Sequence, residues 1–171
     1  MKTLIVVRHG WAGDAAHFAL EGGLNDDRRP IDKRGRREVR QMAKGLRFVF
    51  KECSVVATSP LVRAHQTAEV LIENWPRGEK PQLIELKELR PATAPEVTWA
   101  ALSKLKAADV VTIVGHEPHL SKFLSFMLTG DTQHPLPLKK GGVAVIEIKS
   151  ADKRVLKCLI QPAQLIKIRK S

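Results

Sequence analysis

Four short apolar runs, at residues 4–7, 55–58, 110–114 and 143–148, recur between longer stretches whose apolar residues fall at helical spacing. Each run is too short for a helix and rich in valine and isoleucine, so each is expected to be a strand. A nearly continuous apolar strand suits a sheet covered on both faces, because side chains pointing either way then find apolar company. Residues 156–160 add a further expected strand, and residues 33–51, 61–74, 95–106 and 118–128 are expected helices. Alternation of this kind predicts an α/β fold, a three-layer α/β/α sandwich around a largely parallel central sheet. Gly141-Gly142 marks a turn into the strand at 143–148, which has room to run antiparallel at an edge.

Composition narrows the class. At 171 residues and 43% hydrophobic the chain suits one domain, expected over residues 1–171, and not a disordered or fibrous protein. Aromatic residues make up only 5%, so the core must be mostly aliphatic. Cys53 and Cys158 are too few for a disulfide framework or a zinc cluster and suggest a reducing compartment. The apolar opening is broken at Arg8-His9, and no run approaches the ~20 apolar residues of a membrane span. A cytoplasmic, monomeric domain with no membrane partner is the expectation.

The net charge of +11 is unevenly spread. Residues 28–51 hold ten Lys or Arg against Asp32 and Glu38, and residues 149–171 hold seven against Asp152. Within the first stretch Val39, Met42, Ala43, Leu46, Val49 and Phe50 trace a buried helical face. Arg36, Arg37, Arg40, Lys44, Arg47 and Lys51 fall on a neighbouring arc, either an anion-attracting surface or a solvated face that aids solubility. No aromatic residue falls on this arc to stack on bases, so nucleic acid is not the expected partner.

Three strands finish in polar clusters: Arg8-His9-Gly10, then Thr58-Ser59-Pro60 with Arg63 one turn beyond, and Gly115-His116-Glu117-Pro118. Parallel strands bring such ends to one edge of the sheet, where α/β folds bind ligands. Two arginines and two histidines converging there make an electropositive pocket whose guanidinium forks match phosphate oxygens. Pro60 and Pro118 suit the first turns of helices, which would add backbone N–H donors and a positive dipole end. The guanidinium charge repels a divalent metal, so no metal or cofactor is expected.

Phosphoryl transfer without a metal needs cations on the equatorial oxygens and a positioned nucleophile. A neutral imidazole serves if its other nitrogen donates to a carbonyl. His9 is the better candidate, since Gly10 lets the chain turn away beside it; His116 is placed to donate to the phosphoryl group.

These motifs resemble the histidine phosphatase superfamily, which includes phosphoglycerate mutases and acid phosphatases. Arg8-His9-Gly10 matches its opening signature, the stretch from Ser59 to Ala68 its second, and Gly115-His116 its second histidine. The likeness is closest to the SixA group of short bacterial phosphohistidine phosphatases. It is carried further by Arg29-Pro30-Ile31 with Gly35, by Val114 to Pro118, and by Gln161-Pro162. The resemblance implies a phosphoglycerate mutase-like fold and His9 as the phosphorylated nucleophile. It also implies that Arg8 and Arg63 clamp the phosphoryl oxygens, that His116 completes the pocket and that Arg29, beside Arg28, contacts the anion at its rim.

Two departures stand out. Trp11 occupies a position where many relatives carry an acid, so it either walls the pocket or alters substrate access. Mutases and broad phosphatases carry a glutamate that protonates the leaving alkoxide, and the matching stretch here is Glu88-Leu89-Arg90-Pro91, with Arg90 in the acid's place. An alkoxide leaves poorly unprotonated, whereas imidazole needs less help. A phosphatase acting on phosphohistidine in a protein is therefore the expectation, unless Glu88, Asp32 or Glu117 supplies the proton. The rivals are a phosphomonoesterase for a small metabolite and a non-catalytic binder of phosphate or nucleic acid.

The remaining titratable residues have plainer expectations. His17 and His134 are expected in solvent, His65 in packing, and Cys53 and Cys158 as buried apolar side chains. His119 follows His116 at a spacing seen in metal sites but has no evident third ligand. Residues 13–27 are expected as a mobile lip over the site.

Overall fold

Strand β1 (Thr3–Arg8) begins the chain with four successive fully buried residues, Leu4, Ile5, Val6 and Val7, and the sheet assembles around it. The computed structural model describes residues 1–45, 53–75, 79–105, 108–150 and 152–164. After β1 come helices α1 (Ala15–Leu20) and α2 (Lys33–Gly45), strand β2 (Val55–Thr58), helix α3 (Val62–Glu73) and strand β3 (Gln82–Glu85). Helix α4 (Pro95–Leu102), strand β4 (Val110–Gly115), helix α5 (His119–Thr129), and strands β5 (Val143–Ile148) and β6 (Arg154–Ile160) complete the order.

The sheet runs β3-β2-β4-β1-β5-β6. The first four strands are mutually parallel, and β5 and β6 add antiparallel. The expected α/β/α sandwich with a largely parallel sheet is the observed fold. One detail differs. The strand at 143–148 is antiparallel but interior, because β6 pairs outside it.

Alternation along β1 divides the core. Ile5 and Val7 pack with Val39, Met42 and Ala43 of α2 and Ala64, Ala68 and Leu71 of α3. Leu4 and Val6 pack on the other face with Leu102 of α4 and Leu120, Phe123, Leu124 and Met127 of α5. Truncating Leu4 or Ile5 to alanine would cost ~2–5 kcal/mol, the usual range for a close-packed site.

Helix α2 buries Val39, Met42 and Ala43 as its periodicity predicts and leaves Arg37, Arg40 and Lys44 exposed and Arg36 half-buried. The expected continuation to residue 51, with Leu46, Arg47, Val49, Phe50 and Lys51, lies outside the described residues. The expected lip at 13–27 is partly ordered structure. Asp14 caps α1 through the amides of Ala16 and His17, and Asn25 caps a 3₁₀ turn, Asp26–Arg28. Among the described residues, no helix is long and apolar enough to cross a membrane.

Candidate active site

Parallel register puts the three polar clusters side by side. Arg8 of β1 lies opposite Gly115 of β4, and Thr58 of β2 lies opposite Val114. The pairing continues one residue past the strands, where the His9 amide donates to the Gly115 carbonyl at 3.0 Å and the Ser59 amide to the Val114 carbonyl at 3.0 Å. His9 and His116 are thereby brought together, with ring centroids 5.0 Å apart and planes inclined at 49°.

The loop after His9 is locked from below. The Gly10 amide donates to the Thr67 hydroxyl at 3.0 Å, and that hydroxyl donates to the Arg63 carbonyl at 2.6 Å. One side chain of α3 thus ties the histidine loop to the arginine helix. A Cβ on Gly10 would lie 2.8 Å from Val39, and one on Gly35 would lie 2.0 Å from the Trp11 carbonyl oxygen. Both glycines are needed for the loop to lie flat on α2.

His9 Nδ1 lies 2.7 Å from the carbonyl of its neighbour Gly10. With Nδ1–H donating there, the lone pair stays on Nε2, the state a nucleophile requires. Burial pushes the His9 pKa down to about 3, and the charges of Arg63, Arg8 and Lys140 act in the same direction against the Gly10 carbonyl. Burial also brings His116 down to about 2, helped by His9 and the arginines. Both imidazoles are neutral at ordinary pH.

Arg8 donates from Nη1 to the Leu138 carbonyl at 2.7 Å, and Arg63 donates from Nη1 to the Asp26 carbonyl at 2.7 Å. Burial lowers both guanidinium pKa values, yet an arginine stays charged. Among the described residues, Nε of Arg8, Nε of Arg63 and both ring nitrogens of His116 are buried without a partner. Buried polar groups are normally satisfied. The two guanidinium N–H groups and the single N–H of neutral His116, close to His9, form a receptor for an anion.

Arg29 is buried and Arg28 exposed, which separates the adjacent pair. Arg29 donates from Nε to Asp26 Oδ1 at 2.7 Å and from Nη1 to the carbonyls of Ala12 and Gly13 at 3.0 and 3.1 Å. It therefore reaches the pocket through Asp26, whose Oδ2 lies 3.1 Å from Arg63 Nη1. Asp26 was not foreseen from sequence. Its hydrogen bond from Arg29 and the charge of Arg63 hold its pKa below the ordinary carboxylate range despite partial burial. It is an ionised acceptor, not an acid. Arg90, which the resemblance sets against the family's glutamate, pairs at 2.8 Å with Asp27, the neighbour of Asp26.

Among the described residues, none of the three substitute acids is hydrogen-bonded to Arg8, His9, Arg63 or His116, although the charge of Glu117 acts on Arg8. Glu117 accepts from the Leu138 amide at 2.8 Å and the Ser121 amide at 3.2 Å, so both oxygens are occupied in bracing α5 against the following loop. Asp32 accepts from the Gly35 amide at 2.7 Å at the start of α2. Glu88 lies half-buried in the 3₁₀ turn Lys87–Leu89. The prolines also differ from expectation. Pro118 caps α5 and Pro60 precedes the α3 cap Leu61, so both stand just outside their helices.

His17 and His134 are exposed, as expected. His65 is only partly buried and faces Glu69 at 3.4 Å, so it contributes less to packing than its sequence position suggests. His119 Nε2 lies 2.8 Å from the Thr98 hydroxyl, a packing contact between α5 and α4. Cys53 is buried against Thr112, and Cys158 is half-buried within β6. Among the described residues, no three His, Cys, Asp or Glu side chains are placed to hold a metal ion.

The sequence model of the histidine phosphatase superfamily (branch 1) matches residues 4–102. The chain belongs to this superfamily. An uncharacterized protein of Picosynechococcus sp. is 30% identical over 152 residues, covering 89% of this chain and 87% of its own. Among solved structures, the protein histidine phosphatase SixA complexed with tungstate superposes with a TM-score of 0.81 at 24% identity, covering 95% of this chain and 99% of that one. Phosphoglycerate mutase from Bacillus anthracis superposes with a TM-score of 0.72 at 14% identity, covering 99% and 97%. The fold is thus that of the phosphoglycerate mutase-like members of the histidine phosphatase superfamily, and membership supports phosphatase chemistry.

Proposed function

We propose that this protein is a metal-independent phosphatase acting on phosphohistidine in a polypeptide, carried by a single domain over residues 1–171. His9 is the nucleophile, Arg8, Arg63 and His116 hold the phosphoryl oxygens, and Arg29 supports them through Asp26. One observation carries the reading. A neutral, buried imidazole faces unsatisfied cationic donors, while the neighbouring carboxylate, Asp26, is held ionised between guanidinium groups.

The lone pair of His9 Nε2 attacks phosphorus in line with the substrate's P–N bond. A new P–N bond forms to His9, the old one breaks, and the departing imidazole takes its electron pair and a proton from solvent. Water then attacks the phosphorylated His9, giving inorganic phosphate and regenerating neutral imidazole. Charge on the equatorial oxygens falls on Arg8, Arg63 and His116, so arginine performs the electrostatic work a metal does elsewhere.

The alternative, a phosphomonoesterase for a small metabolite, needs a donor for an alkoxide. Arg90 stands where that acid would be and is paired to Asp27. Rapid quenching with a phosphohistidine peptide labelled on phosphorus tests the proposal. An acid-labile, alkali-stable phosphoenzyme is expected, and His9→Ala should neither turn over nor take label. Because that variant keeps both arginines, vanadate affinity should fall less than activity. Near-normal hydrolysis by His9→Ala would overturn the mechanism.

A further inference from the structure

Beside the catalytic pocket lies a groove of about 540 Å³ that shares Arg8 with it. Trp11, Arg34, Lys139, Lys140, Gln161 and Glu38 supply its polar and aromatic lining. Four cations face one carboxylate, and that carboxylate is already engaged by Arg34 at 2.8 Å. The mechanism above uses none of these groups except Arg8.

The turn bearing the two lysines is fixed to the nucleophile's own backbone. The Gly141 amide donates to the carbonyls of Arg8 and His9, each at 3.1 Å, and the Arg8 amide donates to the Gly142 carbonyl at 3.1 Å. From the other side Gln161 accepts from the Lys139 amide at 2.9 Å and donates to the Pro137 carbonyl at 3.3 Å. Gly141, at φ +74°, makes the turn, and a Cβ on Gly142 would stand 2.7 Å from Gln161 Oε1. The lysine backbone is thereby placed as firmly as His9.

Arg34 is paired with Glu38, but among the described residues neither Lys139 nor Lys140 forms an ion pair, and Asp14 and Asp32 act on Lys140 only through their charge. Lys140 Nζ lies 3.8 Å and the Arg34 guanidinium 4.8 Å from the centre of the Trp11 ring. The aromatic face holds Lys140 without cancelling its charge. Like charges gathered this way repel one another and favour a bound anion. Arg8 joins the groove to the phosphoryl pocket, so the two sites are contiguous.

We propose that the groove is a specificity subsite that receives carboxylate side chains next to the phosphohistidine in the substrate polypeptide, with Lys139 and Lys140 as the principal contacts and Trp11 holding Lys140 in place. The inference rests on the phosphohistidine reading and deepens it. The same anionic chemistry on a small molecule would be a second phosphate, which the test separates.

The experiment measures kcat/KM for phosphohistidine peptides with acidic, neutral and lysine flanks, on the wild-type protein, Lys139→Gln/Lys140→Gln and Lys140→Glu. The wild type should prefer acidic over neutral flanks by roughly fivefold at low ionic strength, and the preference should shrink as salt is raised. The double variant should bring the ratio near one. Lys140→Glu should turn the preference toward lysine flanks, a gain that a misfolded variant cannot mimic. Flank-independent turnover by the wild type, or a preference that survives in the double variant, overturns the subsite alone. Failure to turn over any phosphohistidine peptide overturns the proposed function and the subsite with it. Inhibition by pyrophosphate that depends on Lys139 and Lys140, with no discrimination among peptides, would reassign the groove to a second phosphate and overturn the polypeptide assignment.

Discussion

The carboxylate of Asp26 lies 3.1 Å from the Arg63 guanidinium and accepts from Arg29 at 2.7 Å, so a negative charge of the protein sits beside the donors proposed for phosphate. Asp26→Asn keeps the acceptor for Arg29 but removes the charge. Repulsion toward an incoming anion falls, and vanadate or inorganic phosphate should inhibit roughly threefold more tightly, the scale of one half-exposed ion pair. Weaker inhibition by the variant would mean that the carboxylate chiefly holds the arginines in place.

Arg8→Ala and Arg63→Ala each remove a charged donor that meets charge developing during transfer. Each should lower kcat by ~10²–10³, the usual effect of losing one such donor. Adding EDTA to the wild-type protein should leave the rate unchanged. A chelator-sensitive enzyme restored by a divalent ion would contradict the arginine-based site.

The depressed histidines make stability depend on acid. In the folded protein His9 protonates only near about 3 and His116 near about 2, against 6.5 for each in the open chain. As pH falls through about 6.5 the unfolded chain takes up protons that the folded chain refuses, so stability declines from there downward. Thermal unfolding across that range should show the decline, and His9→Asn with His116→Asn should lessen it, leaving the share of His119, whose pKa burial lowers to about 4. Nuclear magnetic resonance should find both rings neutral down to about pH 5, well below an ordinary histidine's midpoint. Titration of either ring near 6.5 would contradict its burial.

Gly35 tests the floor of the site. A methyl group there would meet the Trp11 carbonyl oxygen at 2.0 Å, and both groups are backbone-borne, so the loop after His9 must shift. Gly35→Ala should cost roughly 1–3 kcal/mol in chemical denaturation, as overpacking does, and should also lower kcat. Wild-type stability together with wild-type kcat would show that the loop is not held from this side.

What the sequence disclosed follows from where burial is complete. β1, β2 and β4 are almost wholly apolar, so their ends and the clusters at Arg8, Ser59 and His116 could be placed on one edge before any coordinates. β3 escaped notice because it is a partly exposed edge strand with only Leu83 and Ile84 to mark it. α1 buries nothing, so no periodicity betrays it, although Asp14 ahead of two alanines is a readable cap. Asp26 and Arg63 are far apart in sequence, and nothing local marks Asp26 rather than Asp27 as the acid that pairs with Arg63. The groove depends on Gln161 reaching back to the turn at Lys139, a contact only the β5–β6 pairing creates.

The most direct measurement is the dependence of rate on leaving group across phosphohistidine, activated aryl phosphates and simple alkyl phosphates. Without a proton donor the rate should fall steeply as the leaving group becomes more basic. Phosphohistidine should be cleaved much faster than aryl esters, and sugar or glycerate phosphates hardly at all. Alkyl phosphates cleaved as fast as phosphohistidine would contradict this, and Glu88 and Glu117 would then be the first residues to mutate in search of the acid.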